Sequence, residues 1–201
     1  MLEIIAFLSF PVLYLVFALW EHVRPARPLP KVHGWRARGP LFLMLAMGLS
    51  IATAIAWGDW VAAHALIDLS WTGAIGGAVI ALLALQLGSY AWHRTVHHVG
   101  PLFRWFHQIH HSAERLDVAG AVYFHPFDVI AFSFATSFVP FVVLGVSAEA
   151  GLIANVVVAF LSLFQHANVK TPRWVGYLAQ RPESHSLHHA RGVHAYNYAD
   201  L

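Results

Sequence analysis

Residues 74–98 read AIGGAVIALLALQLGSYAWHRTVHH: an apolar run from Ala74 to Trp92 that ends in His93-Arg94-Thr95-Val96-His97-His98. A run of that length approaches the roughly 20 residues that carry a helix across the hydrocarbon core of a bilayer. Histidine is costly to bury without a partner and is the commonest protein ligand of transition metals. This one stretch therefore predicts both a membrane span and a set of metal ligands at its end.

Working outward, similar apolar runs lie at Ile4–Trp20, Leu41–Trp57, Val129–Gly145 and Leu152–His166. The last two are the shortest, and Pro140 interrupts one of them, so a re-entrant or tilted hairpin is the alternative there. The chain of 201 residues is 58% hydrophobic and only 11% charged, far from the roughly 25% charged mix of soluble domains. The expected fold is all-α: a multi-pass integral membrane bundle of about four or five segments, capped by a histidine-rich helical region. Residues 1–201 read as a single domain with no internal repeat. Cysteine is absent, which excludes disulfides, thiolate zinc sites, cysteine nucleophiles and protein-held iron–sulfur clusters. Net charge is only +2 and the aromatic residues lie in apolar runs, so no nucleic-acid surface is expected.

Glu3 precedes the first apolar run and no Lys or Arg does, which reads as a retained anchor with its amino end outside rather than a signal peptide. Alternating segments then put 21–40, 93–128 and 167–201 inside, and all twelve Lys and Arg residues fall there. The outer loops near Asp59, Asp68 and Glu149 carry none. Pro25, Pro28, Pro30 and Gly34 make the first inner loop a turn-rich connector. A cytoplasmic membrane, of bacterial type from the alanine-rich and arginine-biased composition, is the expected location, with the histidines on the cytoplasmic side.

Fifteen histidines are present. Beyond His93, His97 and His98, they cluster as His107-Gln-Ile-His110-His111 and His185-Ser-Leu-His188-His189, with His166 closing the last span. On a helix, spacings of three and four put imidazoles on one face about 5–6 Å apart, able to converge on one ion or two adjacent ions. At this composition a His-x-x-His-His motif arises by chance roughly 0.08 times per chain, so two copies argue against composition alone. His97 rather than His98 is expected as a ligand, because neighbouring residues point apart. His98 and His194 are expected to support or face solvent, and His22, His33 and His64 to be ordinary packing residues. Eight or more histidines exceed what one tetrahedral zinc uses, and no His-Glu-x-x-His is present. A haem needs only one or two. Two borderline transition ions, iron foremost, fit best. The contrasting readings are a non-catalytic membrane metal-binding or transport protein and a haem electron-transfer protein.

With these motifs in view, the chain resembles the fatty-acid hydroxylase and sterol desaturase superfamily of membrane di-iron enzymes. The resemblance rests on Tyr90-Ala-Trp92-His93-Arg94-x-x-His97, Trp105-Phe-His107-x-x-His110-His111-Ser112, His125-Pro126-Phe-Asp128, Gln165-His166-Ala-Asn168 and Pro182-x-x-His185-x-x-His188-His189, followed by Asn197-Tyr198. It covers about residues 86–198. It implies two iron ions that use dioxygen and two electrons to hydroxylate or desaturate a lipid-like substrate: a sterol, fatty acyl chain, alkyl ether or carotenoid. The ligands it implies are His93, His97, His107, His110, His111, His166, His185, His188 and His189, with His125 a weaker candidate. Some family members carry a further histidine where Lys170 stands. Members usually continue past Asn-Tyr with a Trp-Asp-x-x-Phe-Gly-Thr segment, so a longer parent chain is expected beyond Leu201.

Metal-bound imidazoles usually donate their remote N–H to a fixed acceptor. Asp128, Glu114, Asp117 and Glu183 are the candidate acceptors, with Asn168 acting through water. With no Gly-x-Gly-x-x-Gly and no cysteine, electrons must come from a separate ferredoxin- or cytochrome-type donor. Arg173 and Arg181 on the basic inner face are the residues expected to steer it.

Overall fold

A backbone that enters lipid has to satisfy its own N–H and C=O groups, and a helix does so within a single segment. The computed structural model describes residues 2–193 and 196–201, and among the described residues there is no strand. In chain order the helices are α1 (Leu2–Val23), α2 (Trp35–Ala63), α3 (Gly73–His98), α4 (Gly100–Leu102), α5 (Gln108–His111), α6 (Val118–Ala121), α7 (Pro126–Ser137), α8 (Ala148–His166) and α9 (Pro182–His188). A π-helical turn, Phe103–His107, joins α4 to α5, and another, Phe138–Val143, extends α7.

Five helical segments are long and apolar enough to cross a membrane: Ile4–Val23, Trp35–Ala63, Ser70–His98, Pro126–Val143 and Ala148–His166. Each exceeds the apolar run read from the sequence, because helix geometry continues through charged and polar flanks such as Arg36, Arg38 and Arg94. Pro140 does not turn the fourth span back. Proline lacks an N–H and crowds the carbonyl one turn earlier, and the chain widens into the π turn and stays helical to Val143. Beyond it Leu66 N donates to Val142 O at 2.7 Å and Leu69 N to Leu144 O at 3.1 Å, so α7 ends beside the α2–α3 connection, at the opposite end from its start.

Side chains on the outside of the spans are large and apolar, with Met44, Ile55, Ile75 and Leu87 all exposed, as lipid contact requires. Close packing comes from small residues. Ala78, Ala81 and Leu85 of α3 meet Ala150 and Ala154 of α8, the pattern by which helix backbones approach where lipid removes the hydrophobic drive between them. At Gly77 an added Cβ would lie 2.8 Å from the Cβ of Ala150. A second cluster, built around Tyr14, Phe17, Val118, Leu163 and Phe164, packs α1, α6 and α8 at the other end.

That end is fastened by a polar hub. The Asp117 carboxylate, 3% exposed, accepts from Trp35 Nε1 at 3.0 Å, from Arg115 Nε at 2.6 Å and from the N–H groups of Ala119 and Gly120 at the start of α6. Glu21 Oε2, at the end of α1, accepts from Val118 N at 3.0 Å and Asn168 N at 3.1 Å. The end of α1, the start of α2, the end of α8 and the start of α6 therefore meet at one end of the bundle, the end whose connecting segments and adjoining helix ends carry the Lys and Arg residues. Asp59, Asp68 and Glu149 lie at the opposite end.

Replacing Gly77 by Leu forces α3 and α8 apart and should cost about 1–3 kcal/mol. Gly48→Leu, in open space on α2, should leave the unfolding midpoint in detergent unchanged; equal midpoints for the two variants would contradict close α3–α8 packing.

Candidate metal centre

The histidines converge from four places: the end of α3, the π turn with α5, the end of α8, and α9. Nine imidazoles fall into two groups, His93, His97, His107, His111 and His188 in one and His110, His166, His185 and His189 in the other. Within each group one ligand atom per residue lies within 4.8 Å of all the others. The groups are adjacent, since the rings of His111 and His189 stack with centroids 4.2 Å apart and those of His185 and His188 lie 5.1 Å apart.

Helical geometry explains the sorting. Residues four apart lie on nearly one line of a helix, whereas the residue three along is turned to the other side of that line. The His107–His111 pair thus enters the first group while His110 enters the second. In the other motif the His185–His189 pair enters the second group and His188 the first. His93 and His97, also four apart, complete the first, and His166 completes the second. Each His-x-x-His-His thus straddles both groups, in opposite senses.

The inward nitrogens fit metal ligation. In the first group the Nε2 atoms of His93, His97, His107, His111 and His188 are all buried with no hydrogen-bond partner among the described residues. In the second, Nε2 of His166 lies 3.0 Å from Nε2 of His110 and 3.1 Å from Nε2 of His185, which is 3.2 Å from Nε2 of His189. Nitrogens sharing an ion at about 2.0–2.1 Å stand roughly 3 Å apart. Outside the spans, burial pushes His107, His110, His185 and His189 well below the usual imidazole range, and neighbouring imidazoles add to the effect. Burial lowers His111 and His188 as well. A neutral imidazole keeps one ring nitrogen with a lone pair for a cation.

Backbone carbonyls fix several tautomers. His166 Nδ1 donates to Ser162 O at 2.6 Å, His93 Nδ1 to Tyr198 O at 3.0 Å and His188 Nδ1 to Tyr196 O at 2.6 Å. A carbonyl only accepts, so Nδ1 carries the proton and Nε2 faces inward. Tyr196 and Asn197 adopt φ of 57° and 51°, and Asn197 Nδ2 donates to Ser184 O at 3.1 Å, which holds the tail against α9. These carbonyl supports are invisible to a search for side-chain acceptors; the Asn197-Tyr198 pair was their only trace in the sequence.

The expected side-chain supports are placed differently. Asp128, fully buried in the first turn of α7, brings Oδ2 to 3.6 Å from His107 Nδ1, close but longer than a hydrogen bond. Asp117 serves the hub instead, and Glu183 accepts from Thr171 N and Oγ1 and pairs with Arg181 at 3.0 Å. Asn168 exchanges hydrogen bonds with the backbone of Arg27. Glu114 is exposed. His125 stands outside both groups: Pro126 at the first helical position leaves it the N-cap of α7, accepting from Phe127 N at 3.2 Å. His98 points outward, with Nδ1 on its own Arg94 carbonyl at 2.7 Å. His22 and His33 are exposed, His64 is exposed but stacks on Trp60 with centroids 4.5 Å apart, and His194 lies outside the described residues. Arg181, tied to Glu183 and Thr171, is not a free cation, whereas Arg173 and Lys170 are exposed.

An all-helical, multi-span chain with two adjoining histidine groups at one end defines a class of membrane metal site. The chain belongs to the fatty acid hydroxylase family, whose model matches residues 78–201. An ornithine lipid hydroxylase of Rhizobium tropici, OlsE, is 32% identical over 114 residues, which make up 56% of this chain and 34% of that protein. The chain therefore spans about a third of the length of the curated relative it matches. No solved structure matches it.

His185→Ala removes one of four donors from the second group and should lower the iron bound after reconstitution below the wild-type amount. His98→Ala should not change it. Equal iron content in the two variants would contradict the grouping.

Proposed function

We propose that the chain hydroxylates the apolar chain of a membrane lipid at a pair of iron ions held by the two histidine groups. The reaction is RH + O2 + 2e⁻ + 2H⁺ → ROH + H2O, with electrons from a separate ferredoxin- or cytochrome-type protein. When bound, the metal pair supplies dioxygen activation and removal of hydrogen from an unactivated C–H bond; the nine histidines named above hold it.

One observation carries this reading. A cavity of about 710 Å³ runs among the spans, lined by Phe7 and Phe10 of α1, Met47 and Ala54 of α2, Val129 and Phe132 of α7 and Ala159 of α8. It ends on His93 and His107 of the first group and His110, His166 and His185 of the second. An apolar channel within the membrane region, closed at its inner end by metal-ready nitrogens, suits a hydrocarbon chain better than a hydrated ion, which would need polar groups along its path. The walls exclude water from the reacting carbon, and Trp92, Val96 and Phe124 shape the channel beside the histidines. Family membership and the similarity to a lipid hydroxylase support the same reaction class.

The segregation of Lys and Arg supports a cytoplasmic position for the centre, in a bacterial cytoplasmic membrane. Exposed Arg173 and Lys170 are among the cations available to an acidic electron donor.

Ala159→Trp fills the channel without touching a histidine. In reconstituted, donor-supplied membranes it should lower lipid hydroxylation at least about tenfold while iron content stays at the wild-type value. Wild-type turnover with the channel filled would sink the assignment of this cavity to the substrate.

A further inference from the structure

The channel wall is apolar for most of its length, yet near the histidine centre three polar side chains meet. Gln86 stands on α3 two turns before His93, on the same helix face. Gln165 immediately precedes His166 on α8, and Asp200 arrives from the tail that also supplies the carbonyls for His93 and His188. All three line the cavity. Gln86 and Gln165 are 8% and 5% exposed.

Their hydrogen bonding is incomplete. Gln165 Nε2 donates to Asp200 Oδ1 at 2.8 Å, and Asp200 is held by its backbone, whose carbonyl accepts from Gln180 N at 2.8 Å. Gln165 Oε1 and both polar atoms of Gln86 are buried with no hydrogen bond of ordinary length among the described residues, the Gln86 side chain lying toward Asp200. Buried amides without partners are costly, and these face a channel that leads to the centre. Asn155 also carries an unpartnered oxygen, but it lies eleven residues before His166, roughly 16 Å along α8.

We propose that Gln86, Gln165 and Asp200 form a polar subsite that binds a neutral donor–acceptor group of the lipid, an amide or a hydroxyl, beside the histidine centre. The free carbonyl oxygens of the two glutamines accept its N–H or O–H, and the Gln86 amide donates to its oxygen. The Asp200 carboxylate orients Gln165 and disfavours an anionic group. The carbon oxidised is then one near a polar linkage rather than the far end of a chain. This rests on the channel holding the lipid.

The test is competitive binding rather than turnover. Native mass spectrometry from detergent micelles would compare equal amounts of N-methyldodecanamide, tridecane and dodecanoate on the wild-type protein, Gln86→Leu and Gln165→Met. The wild type should favour the amide over both others by about tenfold, and each variant should lose that preference, Gln165→Met serving should Gln86→Leu not fold. Equal binding of the three probes by the wild type, or a preference kept by both variants, overturns the subsite while leaving the lipid channel intact. If none of the probes binds the wild type, the channel reading falls and the subsite with it.

Discussion

Nine imidazoles share one small volume; in the group of five the inward Nε2 atoms have no hydrogen-bond partner among the described residues, and in the group of four they lie 3.0–3.2 Å from one another. Burial, and after it the neighbouring rings, hold His107, His110, His185 and His189 below the usual imidazole range. Two groups of clustered imidazole donors suit cations of borderline softness.

Much of the fold follows from holding these rings in place. Two of their carriers, α3 and α8, approach through Gly77, Ala81, Ala150 and Ala154, which aligns His93 and His97 with His166 across the interface. Histidines on short elements have little packing of their own, and the hub of Asp117, Glu21 and Trp35 fixes the plane from which α6 leads to α7 and Asp128. Behind α9, the pairing of Glu183 with Arg181 and Thr171 sets the first turn that carries His185. Asp117 and Glu183, which looked available to the imidazoles, are therefore occupied in holding the frame.

The spans are legible in the sequence because length and hydropathy act locally. The ligand residues are legible because spacings of three and four in a helix act locally as well. The sharing of each His-x-x-His-His motif between two groups is not local. It depends on how α5 and α9 face each other, and on the π turn at Phe103–His107 that sets the rotation of α5. The carbonyls of Ser162, Tyr196 and Tyr198 are hidden for another reason: every residue has one, so sequence cannot mark which of them meets a histidine. Asp117, Glu183 and Asn168 show the reverse, side chains of the right chemistry drawn elsewhere by nearer partners.

An apolar cavity among the spans thus opens onto two histidine groups at the end of the spans. The central claim is that the two groups hold two different iron sites, one with five imidazole donors and one with four. Mössbauer spectroscopy of the reduced protein, reconstituted with isotopically enriched iron, addresses it directly. The account predicts two high-spin ferrous doublets of equal area with distinct quadrupole splittings. A single doublet from one iron per chain, or a low-spin haem spectrum, would contradict it.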